Sequence, residues 1–196
     1  MPRRTVQFVP GCYYHIYNRG AGRQPIFYKD DDYLRCLRTL KTVAAACQVT
    51  IIAYCLMPNH YHWLVRQNGD IAAGEVPKRV FGSYSQAFNL IYKRRGTIFE
   101  ARFKVRLVAA DDYLRHLCCY IHANPVKDGF ALTPELWPYS NYPDWLGLRA
   151  GQLLDRAFIQ TFFPDMQRYQ ASVLDYLTSK TALAPGIKAY LDSLWD

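Results

Sequence analysis

Met57-Pro58-Asn59-His60-Tyr61-His62-Trp63-Leu64-Val65 is the stretch on which the fold turns. Its Pro-Asn turn signal separates two runs, residues 49–56 and 60–66, both rich in β-branched, aromatic and apolar side chains. The pattern predicts a β-hairpin. Residues i and i+2 of a strand point to the same face. His60 and His62 therefore present two imidazoles side by side from a rigid backbone, with Tyr61 on the opposite face.

Working outward, the aromatic run Gly11-Cys12-Tyr13-Tyr14-His15-Ile16-Tyr17-Asn18-Arg19 ends at Gly20 and predicts a first strand. Asp30-Asp31-Asp32 supplies acidic caps for a helix. Its apolar positions Tyr33, Leu34, Leu37, Leu40, Val43 and Ala44 repeat at helical spacing up to about Cys47. A second helix is expected over 77–93, with Val80, Phe81, Tyr84, Phe88 and Ile91 on one stripe, and a fourth strand over 103–108. Asp111-Asp112 opens a third helix over 113–124, which Pro125 is expected to stop.

The order β-α-β-β-α-β is that of the ferredoxin-like split βαβ unit. The expected class is α+β: an antiparallel sheet with helices on both faces and a C-terminal helical tail. Right-handed crossovers place the third strand between the first and second. The first two helices then share one sheet face, and the third is the natural cover for the histidine face. Residues 1–127 form the expected catalytic domain. Residues 128–196 form a tail: an ordered aromatic loop, Trp137-Pro138-Tyr139-Ser140-Asn141-Tyr142-Pro143-Asp144-Trp145, short helices over 153–163 and 166–177, and a stub after Ala184-Pro185-Gly186.

A chain of 196 residues accommodates one well-packed domain plus such a tail. No run of 18 apolar residues is present, so no membrane span is expected. The basic N-terminus lacks the apolar run of a signal peptide. Six cysteines without CxxC spacing predict reduced thiols and a cytoplasmic setting. The net charge of +8 is uneven: residues 1–127 carry a balance of +11 and residues 128–196 one of −3. The basic excess accompanies the histidines and predicts a polyanionic partner; the alternative is a surface tuned for solubility.

On the third helix, Tyr120 and Asn124 are spaced i, i+4 and share a face, with His116 a turn earlier. A phenol becomes a nucleophile when ionised, at a pKa near ~10 in water. A divalent cation beside it favours the phenolate and neutralises a phosphate. His60, His62 and the Asn124 carbonyl make a neutral ligand set that leaves the ion its charge. Two imidazoles suit Mn²⁺ better than Mg²⁺. Tyr113 is the rival nucleophile, but only Tyr120 has an Asn at i+4. His15 and His116 read as supporting or structural residues, and His122 as pointing away from Tyr120, packed or exposed. Lys93-Arg94-Arg95, Arg102, Lys104 and Arg106, with Phe99 and Phe103 interleaved, combine phosphate contact and base stacking as a single-strand binder requires. Arg19, Arg3 and Arg4 extend that set. A hydrolytic phosphoesterase needs a water-activating base, and no carboxylate adjoins the histidines in sequence.

Four ordered strings resemble the one-tyrosine HUH single-strand transposases, specifically their REP-associated tyrosine transposase branch. They are Tyr14-His15-Ile16-Tyr17-Asn18-Arg19-Gly20, Met57-Pro58-Asn59-His60-Tyr61-His62, Phe99-Glu100-Ala101-Arg102-Phe103-Lys104 and Tyr120-Ile121-His122-Ala123-Asn124-Pro125-Val126. The resemblance spans roughly residues 5–165. It implies that His60, His62 and Asn124 hold a divalent ion, Mg²⁺ or Mn²⁺, and that Tyr120 is the nucleophile. The related insertion-sequence enzymes carry Gln where Asn124 stands, and the residue between the two histidines is usually aliphatic, where this chain has Tyr61. The implied reaction is transesterification of single-stranded DNA through a 5′-phosphotyrosine, on palindromic repeats that fold into hairpins. The partner is then single-stranded or hairpin DNA. The third helix can complete the site of its own chain or of a second copy; the aromatic tail after Pro125, as a tether in cis, favours a monomer slightly over a homodimer. The alternative is a domesticated relative that holds hairpin DNA or RNA without cutting it.

Overall fold

The computed structural model describes residues 6–178. Four strands, β1 Tyr13–Arg19, β2 Val49–Met57, β3 His60–Gln67 and β4 Lys104–Val108, form one sheet. Its order is β2-β3-β1-β4, and every neighbouring pair is antiparallel. Helix α1 (Asp30–Ala46) links β1 to β2, and α2 (Glu75–Ile91) links β3 to β4. Each crossover skips one strand, so the expected split βαβ arrangement is present and β3 lies between β1 and β2. Helix α3 spans Asp111–Lys127, followed by α4 Tyr142–Trp145, α5 Arg156–Phe162 and α6 Met166–Thr178. Among the described residues no helix is long and apolar enough to cross a membrane. The six cysteines are free thiols. The expected stub after Ala184 lies outside the described residues.

Alternation along the strands divides the interior into two cores. Tyr14, Ile16, Tyr61, Trp63 and Val65 point toward α1 and α2, where they meet Leu40, Val80 and Phe81. Tyr17, Leu64, Cys55 and Met57 point the other way, against Leu117, Tyr120 and Ile121 of α3. A β-bulge at Ile51/Ala53 shifts the register of β2. It turns Ile52, Ala53 and Cys55 toward the second core. Ala53 and Cys55 are small, which lets α3 lie close to the sheet there. Helix α6 then covers α3 with the buried side chains Tyr169 and Val173.

Helix α3 does not stop at Pro125. It continues to Lys127, because proline removes one donor but leaves its own carbonyl and the following N–H groups usable. The Asp128 N–H reaches the Asn124 carbonyl at 3.0 Å, and Pro125 O accepts from Phe130 N. Gly129, at φ 76°, ends the helix in the left-handed conformation that favours glycine there.

The outer edge of β2 is closed by the aromatic segment that follows α3. Leu56 N–H donates to Tyr139 O, and the Trp137 indole donates to Leu56 O. Asn141 is fully buried. Its Oδ1 accepts from Tyr54 N at 2.8 Å, and its Nδ2 donates to Ile52 O and Leu153 O. Arg149 holds the same segment through Asp144, Pro138 O and Ser140 O.

The Pro58-Asn59 turn between β2 and β3 is anchored to the loop after β1. Pro58 O accepts from Ile26 N and Phe27 N, and Asn59 O accepts from Gly20 N. Gly20 permits the close approach: a Cβ there would lie 2.0 Å from Gln24 O. Gly20→Ala is therefore expected to cost about 1–3 kcal/mol through forced backbone shifts. The melting temperature should drop by roughly 2–10 °C, read by thermal unfolding in circular dichroism.

Candidate active site

β3 and β1 bring three histidines to the face covered by α3. His60 and His62 stand two residues apart, with ring centroids 5.2 Å apart. His15 on β1 places Nε2 3.0 Å from His62 Nδ1. All three imidazoles are buried. Burial pushes the His60 pKa down to about 4, against a smaller upward pull from its Asn124 contact. Burial likewise drives His62 well down, with His15, His60 and Lys127 adding to it. His15 falls to about 3, through burial and then the charge of Arg106. Neutral imidazoles keep a ring-nitrogen lone pair, which a metal ligand must offer.

The hydrogen bonds orient those lone pairs. Asn59 donates its Nδ2 to Arg23 O, so its Oδ1 accepts from His60 Nδ1 at 2.7 Å. The proton of His60 is then on Nδ1, and Nε2 turns its lone pair toward α3. There it meets Asn124 Oδ1 at 3.4 Å, and Asn124 Nδ2 is engaged by the Tyr120 carbonyl at 3.0 Å. When His62 Nδ1–H donates to His15, His62 Nε2 likewise faces the Tyr120 hydroxyl, 3.5 Å away. These orientations make His60 Nε2 and Asn124 Oδ1 two acceptors that converge. A cation reconciles them, so the donor set fits a divalent ion. The set comprises two imidazoles and an amide; among the described residues no group of three or more His, Cys, Asp or Glu side chains is gathered for a metal.

Tyr120 lies edge-on to His62, with centroids 5.1 Å apart, and its ring also meets Tyr176 of α6. A cavity of about 270 Å³ opens beside Tyr120, lined by Arg19, Arg23, Asn59, His60, Tyr120, Asn124, Lys127 and Asp128. Asp128 is the carboxylate that sequence proximity did not reveal: its Oδ2 stands 3.8 Å from His60 Nε2. Burial raises the pKa of Asp128 and Lys127 opposes that rise. Tyr17 was also missed. It is the cross-strand partner of His62, its ring 5.8 Å away. Burial raises its pKa, while Arg106 lowers it. The rival Tyr113 is half-buried against the second core, and it is Tyr120 whose hydroxyl reaches His62.

The basic residues divide between the two faces. Arg19 pairs with Glu100 at 3.0 Å and lines the cavity. Lys104 and Arg106 lie opposite Tyr17 and His15, on the histidine face. Lys93, Arg94 and Arg95 follow α2, in the layer beyond the other face; Arg94 stacks on Phe88. Arg102 lines a separate cleft with Phe81 and Phe103. Arg3 and Arg4 lie outside the described residues. Phe99 is mostly buried against Phe81 and Tyr61, while the half-buried Phe103 packs on the same core; both border the cleft that Arg102 lines. For Phe99 the aromatic alternation that predicted base stacking reflects mainly interior packing. His122 is wholly buried, bonded to Tyr169 OH and Asn141. His116 faces a cleft between α3 and the tail.

The chain matches the family model of IS200-like transposases over residues 8–124. It is 30% identical over 106 residues to a Haemophilus influenzae protein named as a REP-associated tyrosine transposase; the match covers 46% of this chain and 57% of that one. The chain thus spans little more than half the length of that relative. A solved REP-associated tyrosine transposase bound to a REP hairpin superposes with a TM-score of 0.64 at 20% identity, over 79% of this chain and 94% of that one. That likeness is one of fold. The family match takes in β1, the histidine strand β3 and α3 as far as Asn124, which is more than half of the sequence: the chain belongs to the IS200-like transposase family.

Proposed function

We propose that the protein is a metal-dependent endonuclease and strand transferase for single-stranded DNA folded into palindromic hairpins. The observation that carries this reading is the convergence of His60 Nε2 and Asn124 Oδ1 beside a Tyr120 hydroxyl 3.5 Å from His62 Nε2. His60, His62 and Asn124 are the proposed ligands of Mg²⁺ or Mn²⁺, with Mn²⁺ favoured by the two imidazoles. The ion supplies charge neutralisation at the phosphate. The chain does the rest. Tyr120 attacks the phosphorus, a 5′-phosphotyrosine forms and a 3′-hydroxyl leaves. One phosphodiester replaces another, so the step is close to reversible and the strand can be passed to a new 3′-hydroxyl. Arg19, Lys104 and Arg106, on the histidine face, are the proposed phosphate contacts nearest the reacting bond.

The test is incubation of labelled hairpin DNA with the protein and Mn²⁺ or Mg²⁺. A covalent adduct on a denaturing gel, absent with chelator and mapped to the Tyr120 peptide, is the expected result. Asp128 favours a second reading, hydrolysis by an activated water. Cleavage without any adduct would favour that reading over strand transfer.

His15 gives a separate check on the ion. Partners that orient a ligating imidazole typically change metal affinity by about 10–100-fold. His15→Ala should weaken Mn²⁺ binding within that range in calorimetric titration of the metal-free protein. An unchanged affinity would remove His15 from the ligand-orienting role.

A further inference from the structure

The continuation of α3 through Pro125 to Lys127 delivers a side chain that a helix ending at Asn124 would leave elsewhere. Tyr120, Asn124 and Lys127 are spaced i, i+4, i+7, one stripe of an α-helix. Lys127 Nζ stands 5.3 Å from the centroid of the Tyr120 ring. It lines the same cavity as His60, Tyr120 and Asn124.

We propose that Lys127 is a further catalytic residue, whose ammonium holds a non-bridging oxygen of the phosphate that Tyr120 attacks. The proposal rests on the strand-transfer reading above. In-line attack concentrates negative charge on the non-bridging oxygens as the transition state is approached. A cation already fixed beside the nucleophile stabilises that charge with little rearrangement. Lysine suits the task, since its compact ammonium offers three donors and its stem lets it follow the phosphate. The bonding balances without any co-reactant. The Tyr120 Oη–P bond forms as the P–O3′ bond breaks; the phenol gives up one proton and the departing 3′ oxygen gains one. Lys127 makes and breaks no covalent bond in the step. Its backbone position is set by the α3 hydrogen bonds, including Asp128 N to Asn124 O.

The experiment compares wild type, Lys127→Gln and Lys127→Arg for the rate of adduct formation on labelled hairpin DNA with Mn²⁺. Lys127→Gln should be slower by about 100-fold, the scale of one lost transition-state donor. Lys127→Arg should recover most of the rate, with the thermal midpoint unchanged in both. Hairpin binding in chelator supplies a readout independent of chemistry. One lost phosphate contact lowers the slope of log Kd against log salt by about 0.7. A wild-type rate and slope in Lys127→Gln would overturn the proposal while leaving strand transfer intact. Equal losses in the Gln and Arg variants with a lowered melting point would also overturn it, since that marks a packing role. If wild-type protein binds the hairpin but forms no adduct, the strand-transfer reading itself fails and the proposal falls with it.

Discussion

Tyr120→Phe is expected to bind hairpin DNA within about threefold of wild type and yet to form covalent adduct at least about 10⁴-fold more slowly, the scale seen when a nucleophile is deleted. The substitution removes one oxygen and keeps the ring. That ring is 2% exposed and packs against His62, His15 and Tyr176, so its apolar contacts survive. The hydroxyl contact with His62 is long, at 3.5 Å, and its loss should change stability by no more than about 1 kcal/mol. A denaturing gel and an anisotropy titration on the same preparation separate the two effects. Adduct at the wild-type rate would sink the assignment and direct attention to Tyr17, the other phenol beside His62. Tyr17→Phe is the companion variant, and it should retain the adduct.

The largest stability effect is expected far from the chemistry. Asn141→Ala should destabilise the protein by about 3–6 kcal/mol. The side chain serves Tyr54 N, Ile52 O, Leu153 O and His122 Nε2 at once, and all four contacts are within 3.1 Å. Alanine leaves these buried groups without their partner, at about 1–3 kcal/mol for each that finds no substitute. Against a total of about 5–15 kcal/mol, that is a large share. The urea midpoint should fall by about 1–3 M with a single transition. Two separate transitions, with only the one assigned to the tail moved, would show that the segment after α3 folds independently of the sheet.

The sheet and its two faces were legible because strand alternation and crossover handedness act over short stretches of chain. His60 and His62 needed only the two-residue period, and Tyr120 with Asn124 only the four-residue one. What was hidden required partners distant in sequence. His15 was legible as a supporting residue, but its partner was not: it meets His62 only through the β1–β3 register, which pairs Tyr17 with His62 and leaves His15 beside it. Lys127 and Asp128 were hidden by a sound local rule, that proline ends helices; the following N–H groups still found carbonyls, and the helix carried both residues to the cavity. Phe99 misled for the opposite reason. An aromatic residue among arginines looks the same in sequence whether it stacks on a base or on Phe81, and burial decided for Phe81.

The aromatic segment along β2 also limits how the protein can be shortened. A chain cut after α3 would keep every proposed catalytic group, but it would bare a nine-residue strand of mostly apolar side chains along one side of the sheet. Such edges recruit further strands, from other copies above all. Trimming the protein to its chemistry would therefore yield a self-associating fragment: the residues from Trp137 to Trp145 guard the β2 edge against other chains as well as holding the fold.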